Sequence, residues 1–219
     1  MPYYILIPFF AVLAVYLVFE QKHNFRVATT LKMILSGTFT AVAWIGVCLV
    51  GKDMGTLLPA VLIASGLSAA IAGDYFLQYI KLDAGKFRIG IICFSVTQVL
   101  LITGYYLILP VSFFEFVFLA ILLVVAFCLM RFQKWDVSEQ NPQITIYTVL
   151  LAFMAAKALT FFVFEPVHWQ LAIGGILFFL SDMMLGIWNY HSGKMRFAHL
   201  DWIFYFSAEI LIAYGIWFL

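Results

Sequence analysis

Polar breaks cut this chain into apolar runs of roughly membrane length, and that spacing limits the fold more than any other feature. A bilayer core takes about 20 apolar residues of helix, and spans can be as short as about 17. The runs give eight candidates: Tyr3–Phe19, Leu31–Val50, Leu57–Ile80, Phe87–Leu109, Phe113–Met130, Ile144–Phe164, Leu171–Tyr190 and Leu200–Leu219. Between them stand turn formers, among them Gly51 and Gly55 around Lys52-Asp53, Pro110, Asn141-Pro142, Glu165-Pro166 and Ser192-Gly193-Lys194.

The expected fold is therefore an all-α membrane protein of eight transmembrane helices, a single integral helical domain over residues 1–219. Composition agrees, since 11% of residues are charged and 65% hydrophobic, whereas a soluble domain needs roughly a quarter charged. A net charge of +1 leaves no basic face for nucleic acid. Cys48, Cys93 and Cys128 each sit alone in an apolar run, without the spacing of a disulfide framework or a zinc site. Met1-Pro2-Tyr3-Tyr4 lacks the basic stretch of a secretory leader, and no small-residue cleavage site follows Phe19, so the first run reads as a retained span.

Orientation follows from Lys and Arg, which stay on the cytoplasmic side. Lys22, Arg26, Lys32, Lys81, Lys86, Arg88, Arg131, Lys134, Lys194 and Arg196 fall at alternate breaks, against Lys52 alone at the others. Both termini are expected to face away from the cytoplasm. A parallel four-plus-four repeat is also suggested. Gly73-Asp74-Tyr75-Phe76-Leu77 in the third run echoes Ser181-Asp182-Met183-Met184-Leu185 in the seventh, and Gln98 and Glu209 hold the middles of the runs that follow.

The few charges inside the runs carry the functional signal. Asp74, Lys157, Asp182 and Glu209 lie within spans, with Lys32 and Glu115 just inside span ends. A central charge costs about 2.5–3.5 kcal/mol on insertion scales, so these side chains should face the protein interior. At 1.5 Å rise per residue, Asp74, Asp182 and Glu209 come to one layer, roughly 10–13 Å below the cytoplasmic break, with Gln98 just beneath at roughly 15 Å. Lys32 stands at the mouth, and Lys157 falls on the far side of the membrane, outside the cluster. The arrangement describes a polar chamber opening toward the cytoplasm, lined by spans two, three, four, seven and eight. Buried carboxylates can serve only as interhelical hydrogen-bond partners, worth a fraction of a kcal/mol to about 2 each. Three at equal depth beside an amide and a lysine favour acid–base chemistry, because crowded acids cannot all ionise together.

Other chemistries fit less well. There is no Gly-x-Ser-x-Gly elbow for a serine hydrolase and no phosphate-cradling glycine loop, so no cofactor is expected. His191, His199 and Asp201 match no metal-ligand spacing and read as interfacial residues. Trp135, Trp169, Trp188 and Trp202 near span ends read as an aromatic belt.

Several of these residues carry a family resemblance. Gly73-Asp74-x-x-Leu77, Phe87-x-x-Gly90, Tyr147 with Met154, the stretch Gly175-Ile176-Leu177-Phe178-Phe179-Leu180-Ser181-Asp182-x-x-Leu185, and Tyr205-x-x-Ala208-Glu209-x-Leu211-Ile212 together resemble the YhhN-like lysoplasmalogenases. The resemblance runs from Lys32 to Ile212. The chain departs from the family's usual pattern in having Met33 after Lys32, Gln98 in place of a histidine, and Glu209 in place of a glutamine. Membership implies an eight-span hydrolase that cleaves the vinyl ether bond of lysoplasmalogens to a fatty aldehyde and a glycerophospho-base.

On that reading the partners are a lysophospholipid substrate and membrane lipid, in the bacterial cytoplasmic membrane or, in a eukaryote, the endoplasmic reticulum. Protonation of the alkene carbon would give an oxocarbenium ion that water captures, work suited to a pair of carboxylates. Asp74 and Asp182 are the expected catalytic pair. Lys32 would bind phosphate, with Gln98, Ser181 and Glu209 positioning water and the ether oxygen. A small proton-coupled carrier is the alternative, since buried acids and repeated halves also suit a proton relay.

Overall fold

The computed structural model describes residues 3–22, 24–50, 53–80, 82–132 and 141–219. Lys52, Lys81, Lys134 and Trp135 lie outside them. Among the described residues there are eight α-helices and no strand: α1 (Leu6–Gln21), α2 (Phe25–Leu49), α3 (Met54–Leu77), α4 (Ala84–Ile108), α5 (Phe113–Phe132), α6 (Asn141–Phe164), α7 (Trp169–Ile187) and α8 (Met195–Gly215). Helices α2 to α8 are long and apolar enough to cross a membrane, whereas α1 is a shorter apolar helix. The protein is an integral multi-pass membrane protein.

Several helices run past the apolar boundaries because polar side chains cap them. Asn24 accepts from the Val27 N–H ahead of α2, Asp53 from Thr56 ahead of α3, and Asp83 from Gly85 and Lys86 ahead of α4. Capping satisfies N–H groups that a helix start leaves open. The extension matters most in α2. Starting at Phe25 rather than near Leu31, the helix already has Lys32 in its third turn, 5% exposed. Lys32 is thus a buried residue of the bundle.

The most extensive helix pairs are α3 with α4 and α7 with α8, joined through α6 against α4 and α7, and α2 against α3 and α8. Small residues permit the close approaches, as is usual where helices pack in lipid. A Cβ on Gly73 would come within 2.8 Å of the Phe94 ring, and one on Gly174 would meet the Ala208 carbonyl at 3.0 Å. Helix α1 buries Phe9, Leu13 and Tyr16, one stripe at i, i+4 and i+7, with the Phe9 ring against Phe206 and the Tyr16 ring against Trp202 and Phe206 of α8. Helix α5 is peripheral. Of its side chains only Glu115 and Ala126 are buried, and it packs on α6.

Candidate functional site

Four helices converge on Asp74, which is 1% exposed in the last third of α3. From α2, the Lys32 ammonium forms an ion pair with Oδ1 at 3.2 Å, and one turn further along the Ser36 hydroxyl donates to Oδ2 at 2.5 Å. From α8, the Tyr205 hydroxyl donates to the same Oδ2 at 2.8 Å. The Gly73–Phe94 contact brings α4 against the adjoining turn, where Phe94 also meets Tyr205 edge-on at 5.8 Å. One cation and two hydroxyl donors thus converge on this carboxyl group, contacts that favour its charged form.

Asp182, on α7, has different surroundings. Its Oδ2 accepts from the Tyr147 hydroxyl of α6, no lysine or arginine pairs with it among the described residues, and its side chain is half-buried. One residue back on the same helix, Ser181 donates at 2.9 Å to Asp201 of α8.

These groups share a small cavity of about 10 Å³ lined by Lys32, Asp74, Ser181, Asp182, Asp201 and Tyr205 with apolar neighbours. That is about the space one water needs. Two larger cavities adjoin it. A cavity of about 60 Å³, walled by Phe87, Ile91, Ile144, Leu151 and other apolar side chains of α3, α4, α6 and α7, reaches Asp182. Another of about 50 Å³ shares Lys32, Asp201 and Trp202 with the small cavity and lies where α1, α3 and α7 end.

Of the six residues singled out from the sequence, Lys32, Asp74, Ser181 and Asp182 line the small cavity, and Gln98 and Glu209 do not. Gln98 faces the Tyr147 hydroxyl and Glu209 faces that of Tyr205, yet no polar atom of either side chain meets hydrogen-bond geometry. They sit behind the tyrosines that hold the two aspartates. Ser36 and Asp201 were missed as site residues. Ser36 follows Lys32 by four residues, and Asp201, Tyr205 and Glu209 recur at intervals of four, so each set lies on one helix face. Asp201 reads as an interfacial residue beside His199, but it is 5% exposed and turned inward to Ser181. His199 tilts over Trp202 instead. Among the described residues no group of three or more His, Cys, Asp or Glu is placed to hold a metal ion.

Lys157 lies apart, as its depth implied. Its ammonium contacts the Pro110 carbonyl at 2.8 Å and Glu115 at 3.4 Å, and it lies 4.3 Å from the centre of the Tyr106 ring.

Residues 27–216 match the family model of the YhhN family, covering α2 to α8 and therefore every residue of the site. The chain belongs to the YhhN family. No curated protein and no solved structure matches the chain.

Proposed function

We propose that this YhhN-family protein hydrolyses the vinyl ether bond of lysoplasmalogen-type lysophospholipids, with Asp182 and Asp74 as the catalytic pair. The carrying observation is the difference between two carboxyls on one water-sized cavity. Asp74 is fixed by a lysine and two hydroxyls, whereas Asp182 has a tyrosine alone and borders the apolar cavity.

In this reading the alkenyl chain lies in the apolar cavity, with its ether end at the aspartates. Asp182 transfers its proton to the alkene carbon β to the ether oxygen, and the π electrons form the new C–H bond. The ether oxygen then shares the positive charge as an oxocarbenium ion. The fixed Asp74 carboxylate stabilises that cation. Asp182, now ionised, takes a proton from the water that adds to the cation, which restores its acid form. The resulting hemiacetal transfers its hydroxyl proton to the glyceryl oxygen and separates into aldehyde and glycerophospho-base. Acid–base steps of this kind contribute about 10²–10⁴-fold. Lys32 contacts the phosphate, and Ser181 positions the water through Asp201.

Topology belongs to the same proposal. The sixteen residues of α1 and the 3₁₀ turn Tyr3–Ile5 before it together span about 30 Å, the thickness of a bilayer core. We read α1 as an eighth span, with both termini on the non-cytoplasmic side. A four-plus-four duplication is supported by Asp74 and Asp182 lying on the first member of each of the two most extensive helix pairs.

The test is a liposome assay of purified protein with vinyl ether, ester and alkyl ether lysolipids side by side. Aldehyde release from the vinyl ether alone is expected. Cleavage of the ester alone would overturn the proposal.

A further inference from the structure

Asp201 borders the water-sized cavity and also the outer cavity at the ends of α1, α3 and α7. Asp182 borders the water-sized cavity and the apolar one. Asp182 does not line the outer cavity, and Asp201 does not line the apolar one. The spaces and acids therefore follow one order: apolar cavity, Asp182, water-sized cavity, Asp201, outer cavity. A vinyl ether substrate has the same order, with chain, protonated carbon, hydrated carbon and glyceryl oxygen in succession. With its chain in the apolar cavity and its alkene at Asp182, its hydrated carbon falls where one water fits, and its glyceryl oxygen falls on the Asp201 side.

The last step of the proposed reaction needs a group on that side. In the hemiacetal the hydroxyl and the glyceryl oxygen share one carbon. Direct proton transfer between them would bend O–H···O below the roughly 120° at which such interactions weaken steeply. A third group touching both oxygens removes the strain. Asp74 is poorly suited, because Lys32 holds its Oδ1 and Ser36 and Tyr205 hold its Oδ2. Asp182 stands on the chain side and accepts from Tyr147. Asp201 has the position and the fixed geometry. It is 5% exposed, its Oδ1 accepts from Ser181 at 2.9 Å, and no lysine or arginine forms an ion pair with it among the described residues. One helical turn separates it from Tyr205, so it shares the face of α8 that holds Asp74.

We infer that Asp201 is a third catalytic carboxyl, the one that carries the proton when the hemiacetal separates. The inference rests on the proposed vinyl ether hydrolysis. The Asp201 carboxylate takes the hydroxyl proton, and the electrons of that O–H bond form the carbonyl π bond. The bond from the same carbon to the glyceryl oxygen breaks with its electron pair on oxygen, and that oxygen takes the proton back from Asp201. Aldehyde and alcohol result, and the carboxylate is restored. Asp182 thus works on carbon and Asp201 on oxygen, from opposite sides of one cavity. Ser181 is a positioning residue that holds Asp201 in place.

The test follows a single turnover of the purified full-length protein on a vinyl ether lysolipid. Stopped-flow infrared spectroscopy records the enol ether and aldehyde carbonyl bands together. In the unaltered protein the loss of one and the gain of the other should coincide. The amide oxygen of Asp201→Asn can still accept from Ser181, so the packing is kept. In that variant vinyl ether loss should stay within about threefold of normal, while aldehyde appears about 10²-fold more slowly, the low end of a general acid–base contribution. Ser181→Ala should open a smaller gap of the same sign, and it stands in where Asp201→Asn fails to fold. Asp182→Asn should instead slow both bands together, because it blocks the first step.

Coincident bands in folded Asp201→Asn, or in Ser181→Ala where that variant stands in, would overturn the role of Asp201 and leave the hydrolysis standing. An unaltered protein that consumes no vinyl ether would sink the hydrolysis, and the role of Asp201 with it.

Discussion

The Tyr205 hydroxyl and Asp74 Oδ2 meet at 2.8 Å across 131 residues of sequence, tying α8 to α3 at the centre of the bundle. The tyrosine ring is held independently of its hydroxyl by edge contacts with Phe94, Phe178 and Phe206. Tyr205→Phe should therefore remove the hydrogen bond and keep the packing. We expect a stability loss of about 1–2 kcal/mol, the range for a hydrogen bond to a charged group between membrane helices. Unfolding in detergent checks it, and an unchanged midpoint would mean that Ser36 and Lys32 suffice to hold Asp74.

Asp182→Asn should lower aldehyde release by about 10²–10⁴-fold, the usual contribution of a general acid, while binding of an uncleavable alkyl ether lysolipid persists. Tyr147→Phe takes away the one hydroxyl bonded to Asp182 and should cost about tenfold, equivalent to about 1.4 kcal/mol. Single-turnover kinetics separates the two effects from binding. Full turnover in Asp182→Asn would remove that residue from the mechanism.

The membrane character and both aspartates were legible in the sequence because charge inside an apolar run is costly and therefore conspicuous. Asp201 was not, because it lies near the polar start of α8, where an acid looks like any loop residue. Only the packing of α7 against α8 turns it toward Ser181. Lys32 was recognised, but its ion pair with Asp74 was not, because the partner comes from another helix. The start of α2 was set too late, since an apolar run marks where lipid begins whereas a helix begins at its cap, here Asn24. The tryptophans at the ends of α7 and α8 look alike in sequence. Whether such a ring faces lipid or a neighbouring ring is set by α1, a helix distant in sequence that covers Trp202.

Lys157 and Glu115 provide a control remote from the proposed chemistry. Both are fully buried, and the pair is a main polar link between α5 and α6. Lys157→Met leaves a buried carboxylate without its cation, which costs about 3–5 kcal/mol, whereas replacing both partners by apolar residues should recover most of that loss. Thermal unfolding of the two variants checks the difference. Turnover per folded molecule should be unchanged in the double variant, and a matching loss of turnover there would show that α5 supports the active site.

Gly175 tests how closely α6 and α7 must pack for the site to work. It lies seven residues before Asp182, two turns along the same face of α7. A Cβ at this position would overlap that of Ala158 on α6, and the Ala155 backbone is 3.7 Å away. Neither neighbour has a flexible end that could move aside, so Gly175→Ala must push the two helices apart. Overpacking of this kind costs about 1–3 kcal/mol. The same displacement separates Tyr147 from Asp182, because their hydrogen bond spans these two helices. Turnover should therefore fall about as far as in Tyr147→Phe. Combining the two substitutions should lower it little further, since both break one contact. Kinetics of the single and double variants checks this, and fully multiplicative losses would show that Gly175 acts on the site by another route.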